Sequence, residues 1–173
     1  MTVPEIIEKL KDRFPDGIRE TLVFRGDYWI RVDNEVHYDL MKSLKEEYGF
    51  NFLMDVVGVD YPRRKERIEV IYNLYSLGEH LRLFVKIRAG GDIVPRSVTD
   101  LWPSANWMER EVFDMLGVQF ANHPDLRRIL MRDDFPWHPL RKDFQLTSDE
   151  IDFGVPIRTK PPKHIKDEPD RLE

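Results

Sequence analysis

The chain has 173 residues, 41% hydrophobic and 34% charged, enough to bury one core as a soluble protein. Its formal net charge of −5 argues against a general nucleic-acid binder, which needs a basic excess, and no apolar run approaches the roughly 20 residues that span a bilayer. With no cysteine at all, the chain excludes disulfides, thiolate-held metals and cysteine-ligated iron–sulfur clusters of its own.

Thr2 to Phe14 predicts a helix, with Pro4 in its first turn and Ile6, Ile7 and Leu10 inward. This opening segment is acidic-rich and amphipathic, unlike a secretory signal or an Arg-rich transit peptide. Pro15-Asp16-Gly17 ends it. Arg19 to Arg25 and Tyr28 to Val32 favour strands and flank a turn at Gly26-Asp27. Asn34 caps a second helix running to about Tyr48, with Val36, Leu40, Met41, Leu44 and Tyr48 as its stripe and Gly49 as its stop. Phe52 to Asp60 is apolar on both faces, which suggests an inner strand.

The next two strands can be registered. If Tyr75 and His80 close a loop of Ser76-Leu77-Gly78-Glu79, Leu74 meets Leu81, Tyr72 meets Leu83, Val70 meets Val85 and Ile68 meets Ile87. All four pairs are apolar, and a one-residue slip would destroy that face. Arg67 then opposes Arg88, so the ladder is expected to fray there. Gly90-Gly91-Asp92 ends the hairpin, and Val94 to Trp102 begins the next helical region.

Trp102 to Met131 organises the rest. Pro103 suits a first helical position, with Ser104 or Asn106 able to satisfy free N–H groups. Met108, Val112, Met115 and Leu116 form one apolar stripe, and Gly117 stops the helix because it accepts positive φ. Val118 and Phe120 alternate like a strand, and His123-Pro124 begins a rigid extended arm. The order is helix, two strands, helix, three strands, helix: an α+β two-layer domain, with helices on one face of a mixed, mostly antiparallel sheet. Seven of the 12 prolines lie from Pro124 onward and periodicity stops there. We therefore divide the chain into a domain at 1–122 and an extended partner-binding arm and tail at 123–173. Phe135, Trp137, Phe144, Ile151, Phe153, Val155 and Ile157 are too apolar for pure disorder, so Asp125 to Arg158 reads as an arm laid in a partner's groove.

Glu109, Arg110, Glu111 and Asp114 crowd one and a half turns, with Arg110 and Asp114 spaced for an i, i+4 pair. A solvated face is the plain reading. Trp102, Trp107 and Phe113 beside the cluster favour an interface instead, and Arg127 and Arg128 add two planar donor forks. A metal site from His123, Asp125, Asp133, Asp134 and His138 is the sharpest catalytic alternative, but none has helical ligand spacing and both histidines precede proline. His37, His80 and His164 are isolated and read as surface or structural residues. Ser97, Ser104 and Ser148 lack a nucleophile-elbow context, and Glu109 and Glu111 point about 200° apart on a helix, too far to act on one substrate.

These residues carry a resemblance. E-R-E-V-F-D-M-L-G-V-Q-F-A-N-H-P-D-L-R-R-I-L, with the lead-in S-V-T-D-L-W-P-S-A-N-W, the downstream H-P-L-R-K-D-F-Q-L and the upstream V-G-V-D-Y-P, resembles the C subunit of NADH:quinone oxidoreductase, respiratory complex I. The likeness runs in order from about Leu53 to Leu146. It implies a cofactor-free, non-catalytic scaffold subunit of the peripheral arm, on the cytoplasmic face of the cell inner membrane. The D and B subunits of complex I are the implied neighbours, extending to the I subunit and other peripheral-arm subunits. FMN and iron–sulfur clusters belong to partners and carry electrons from NADH to quinone. Trp107, Glu109, Arg110, Glu111, Asp114, Gly117, His123, Pro124, Asp125, Arg127, Arg128, His138, Arg141 and Lys142 are the candidate interface and signature positions; no catalytic, cofactor or metal residue is expected. Two alternatives stay open: a homologous subunit of a related membrane-bound dehydrogenase or hydrogenase with another electron donor, and a free-standing binding module.

Overall fold

A computed structural model describes residues 1–144. Helix α1 spans Val3–Arg13 and is opened by Thr2, whose backbone N–H donates to Glu5 Oε2 at 2.9 Å. Strands β1 (Ile18–Phe24) and β2 (Asp27–Val32) form a hairpin, followed by α2 (Asn34–Glu46). Then come β3 (Phe52–Asp60), β4 (Ile68–Ser76), β5 (Leu81–Ala89) and α3 (Ala105–Leu116). The element order is the one expected, and the α+β two-layer class holds.

The five strands make one sheet in the order β1-β2-β5-β4-β3, antiparallel except where β2 runs parallel to β5. Register puts Val56, Tyr72 and Val85 side by side, and Gly58, Val70 and Ile87 in the next row. That face is covered by the helices: His37 of α2 lies 4.9 Å from the Tyr72 ring, and Gly58 abuts Leu116 of α3. The core between the layers is built from Ile6, Leu10, Leu40, Leu44, Leu74, Leu83 and their neighbours, all buried. Each such side chain contributes about 1.5–3 kcal/mol by leaving water. On the sheet's other face Trp29 stacks on Phe84 at 3.9 Å, with Lys86 over the indole.

Several expectations are corrected. Phe52 to Asp60 is an edge strand, not an inner one; its second apolar face lies open, with Phe52 and Val57 exposed. The β4–β5 hairpin pairs Leu74 with Leu83, not Leu81, so the strands meet two residues out of the expected register. A two-residue offset preserves which face each side chain takes, so the apolar face survives. Glu69, not Arg67, opposes Arg88, and the expected repulsion never arises. In the first hairpin Phe24 faces Asp27, so the turn is Arg25-Gly26, both at positive φ.

Residues 94–104 form no helix. Ser97 N–H donates to Ala121 O and Ala121 N–H to Pro95 O, each at 2.8 Å. This single parallel bridge is all that remains of the strand expected at Val118–Phe120. Ser104 precedes α3 without a side-chain cap bond. Of the two readings open for His37, surface or structural, the structure takes the second: it is fully buried against Tyr72. As far as Phe144 the arm lies against its own domain, bonded to α3 and to Asp60. Ile151, Phe153, Val155 and Ile157, with the rest of the expected arm, lie outside the described residues.

Candidate functional site

The charged residues of α3 point in four directions, which 100° per residue requires. Glu109 and Asp114 are buried, Arg110 is half-buried and Glu111 is exposed. Arg110 and Asp114 do not pair with each other. Asp114 instead receives the arm: its Oδ2 accepts N–H bonds from Ile129 at 3.1 Å and from Leu130 and Met131 at 2.8 Å, while Arg128 Nη1 donates to Oδ1. Burial alone would raise this carboxyl, but the Met131, Leu130 and Ile129 amides and Arg128 outweigh it and hold it below its ordinary value. Arg110 completes the clasp from the next turn, donating from Nε to Arg127 O and from Nη2 to Arg128 O, each at 3.0 Å.

The arm also caps the helix. The last four carbonyls of a helix lack intrahelical partners, and here each is met. Gly117 N–H donates to Phe113 O at 2.8 Å; His138 Nδ1 donates to Asp114 O at 2.9 Å; Leu140 N–H donates to Met115 O at 3.0 Å; Arg141 Nε donates to Leu116 O at 2.6 Å. Two guanidinium groups, those of Arg128 and Arg141, thus sit at the negative end of the helix dipole. Gly117 has φ +78°, and a Cβ there would lie 2.3 Å from Arg141 Nη2 and 2.6 Å from His138 Nε2. Only glycine leaves room for both the turn and the cap.

A second tie holds the arm's far end. Arg67 grips Asp60 through Nη2 at 2.7 Å and Asp143 through Nη1 at 2.8 Å, and Lys142 N–H donates to Asp60 Oδ2 at 2.6 Å. The guanidinium is held above its ordinary value, by Asp60 first and Asp143 next. Sequence reasoning places neither Arg67 nor Asp143 in a site. Asp60 lies inside the V-G-V-D-Y-P block, and Arg67 closes the run R-R-K-E-R, whose charge alone gives no reason to choose it.

At the other end of α3, Glu109 Oε2 meets Ser97 Oγ at 2.6 Å and Oε1 accepts Val98 N–H at 2.9 Å. Burial raises its pKa to about 7 against the lowering effect of those two bonds. Ser97 Oγ also reaches Thr99 Oγ1 at 2.9 Å. The hydroxyl can therefore donate to an ionised Glu109, or accept from a protonated one while donating to Thr99. His123 fixes the arm's first turn: Nδ1 accepts Asp125 N–H at 3.0 Å and Nε2 donates to Asn106 O at 3.3 Å. Burial lowers the pKa of both His123 and His138. Both nitrogens of His123 and Nδ1 of His138 are bonded to backbone groups, and among the described residues no group of three or more His, Asp and Glu is placed to hold a metal. The five residues considered as ligands are not brought together.

Known proteins share this chain's pattern. The family described as Respiratory-chain NADH dehydrogenase, 30 Kd subunit matches residues 30–150. The C subunit of the NADH-quinone oxidoreductase of Geobacter sulfurreducens is 47% identical over 142 residues, covering 80% of this chain and 86% of that protein. Its counterpart in Hyphomonas neptunium is 43% identical over 145 residues, covering 83% and 72%. This chain belongs to the complex I 30 Kd subunit family. A chain from the membrane-bound sulfane sulfur reductase, an archaeal respiratory membrane complex, shares the fold at a TM-score of 0.69 and 28% identity, covering 83% of this chain and 85% of that one.

Within this member of the family, the signature is a fold-internal clasp between α3 and the arm. Of the candidate positions, Glu109, Arg110, Asp114, Gly117, His123, Arg128, His138 and Arg141 make or border it. Trp107 is 62% exposed, with Arg110 over its ring; Glu111, Pro124, Arg127 and Lys142 are exposed as well. The Arg127 side chain is held by Asp125, through Nε and Nη2 at 2.7 Å each. No helix among the described residues is long and apolar enough to cross a membrane.

Proposed function

We propose that this chain is a cofactor-free, non-catalytic scaffold subunit in the peripheral arm of a proton-pumping NADH:quinone oxidoreductase. It braces the quinone-reducing module beside the D and B subunits, and near the I subunit, on the cytoplasmic face of the membrane. NADH, FMN, iron–sulfur clusters and quinone are handled by partners. One observation carries this reading: the signature's buried polar groups are already bonded within the chain, while Trp107, Leu130 and Leu140, each about 60% exposed, are left facing outward beside them. Such a surface suits protein contact, with aromatic and aliphatic anchors set in a polar surround. The chemical contribution is positional, because small displacements of a redox or quinone site cost large factors in rate.

Purification of the tagged chain from its native membrane tests the reading. The expected result is recovery with quinone-module and cluster-bearing subunits, while the isolated chain shows no visible absorbance and no stoichiometric metal. One equivalent of iron or zinc bound to the isolated chain, or its recovery as a solitary monomer, would overturn the reading. A second reading is favoured by the likeness to the sulfane sulfur reductase chain: the same scaffold serving a respiratory complex with a different electron donor. Identification of the co-purified input subunits separates the two.

A further inference from the structure

Strand β3 is an edge, and its outer side pairs with no strand among the described residues. Every second residue therefore directs an N–H and a C=O sideways, ready for another chain. Its sequence, FLMDVVGVD, contains neither Pro nor Lys to discourage pairing, and its irregularity lies between Leu53 and Asp55, leaving the rest regular. A groove runs beside this edge, lined by Asp55 and Val57 of the strand, Glu111, Val112 and Met115 of α3, and Leu140 of the arm. Val57 is 43% and Leu140 59% exposed. Asp55 and Glu111 are exposed too, and neither forms an ion pair among the described residues; the Asp55 carboxylate accepts Val56 N–H, at 2.8 Å.

We propose that this groove takes an extended segment of a partner subunit, added to β3 as a sixth strand, in which apolar residues alternate with Lys or Arg. The free strand edge supplies backbone bonds, Val112, Met115 and Leu140 receive the apolar side chains, and Asp55 and Glu111 receive the cations. Charge selects among the occupants. A second copy of β3 would bring its own Asp55 against the groove's carboxylates. The chain's own Ile151 and Phe153 are accompanied by Asp149, Glu150 and Asp152, again of the wrong sign. Only a basic, alternating segment satisfies both the edge and the carboxylates.

The proposal rests on the subunit reading above, so its test is made on the complex purified through this chain and on the isolated full chain. Outward amides of β3 are expected to exchange at least about 100-fold more slowly in the complex than in the isolated chain. A photo-reactive residue at position 57 should cross-link to a partner peptide with alternating apolar and basic residues. Asp55→Lys with Glu111→Lys should cut that cross-link at least about tenfold while leaving the thermal midpoint of the isolated chain unchanged. Partners recovered with β3 exchanging as fast as in isolation would overturn this proposal and leave the subunit reading standing. So would an adduct mapping to residues 145–173, to a second copy, or to a segment lacking basic residues. A chain recovered alone from its membrane would instead overturn the subunit reading, and this proposal with it.

Discussion

Glu109 and Asp114 occupy the same helix, and both side chains are fully buried. Glu109 has two protein donors, Ser97 Oγ and Val98 N–H, and burial wins: its pKa rises to about 7. Asp114 has three backbone amides and a guanidinium, and the donors win over burial. Depth and donors together decide which carboxyl stays ionised: Glu109 is the more strongly desolvated and has two donors, whereas Asp114 is less so and has four. The consequence is a division of labour along α3. Its first half is joined to residues 97–99 by an acid that titrates near neutrality, and its second half holds the arm through a permanent anion.

The largest effect should come from breaking the anionic end. Asp114→Ala leaves three amides and Arg128 without their acceptor, and loss of one partner from a buried charge pair costs about 3–5 kcal/mol. Urea unfolding should report that loss, and hydrogen exchange should show residues 127–142 released. If the arm stays protected in this variant, Arg110 and the helix-end carbonyls hold it by themselves.

The neutral end predicts a pH dependence of opposite sign. Glu109 rises from 4.5 to about 7, so between those values the unfolded chain has lost a proton that the folded chain keeps, and stability falls as pH rises through that window. At about 1.4 kcal/mol per pH unit the loss reaches about 3 kcal/mol by pH 7. Glu109→Gln should remove this slope. His37 works in the other direction: burial drops its pKa from 6.5 to about 3, so its contribution is lost as pH falls through that range. The difference between wild-type and Glu109→Gln stability across pH 4 to 8 isolates the glutamate. A pH-independent difference would place Glu109 with the ionised carboxylates.

A smaller effect is expected at the helix stop. Gly117→Ala puts a Cβ at positive φ against His138 and Arg141, costing about 1–2 kcal/mol from the backbone alone, with further loss if the cap is displaced. Denaturant midpoints measure the sum, and exchange at Leu140 shows whether the cap has moved. Trp107→Ala should leave the isolated chain's stability unchanged, since the ring is mostly exposed, yet reduce co-purification with partner subunits. Normal assembly by that variant would remove Trp107 from the interface.

How much of this is legible in the sequence depends on range. Helix and strand periods, the two-layer class and the apolar face of the β4–β5 hairpin follow from local pattern, because side-chain direction repeats with fixed period along the chain. The hairpin's register does not: four-residue loops one residue apart in placement shift every cross-strand partner by two and give the same faces. The edge position of β3 is hidden because apolar residues on both faces look alike in an inner strand and in an edge strand with an open face. The clasp is half visible. Asp114, Arg128, Gly117, His138 and Arg141 stand out as residue types in a signature, but the spacing rule pairs Arg110 with Asp114, whereas the tertiary fold gives Asp114 to the arm.

The sequence by itself determined which segments become helices and strands, where α3 must stop, and that no cysteine is present to hold a cluster. Each of these depends on residues within a few positions of one another. Only the tertiary structure decided that Arg67 joins Asp60 to Asp143, that Glu109 is starved of donors while Asp114 has an excess, and that the arm to Phe144 closes on its own helix. Those outcomes turn on which polar groups meet across long stretches of chain. A charged side chain carries no local mark of the partner it will find, and the free energy of burying it is set by that partner.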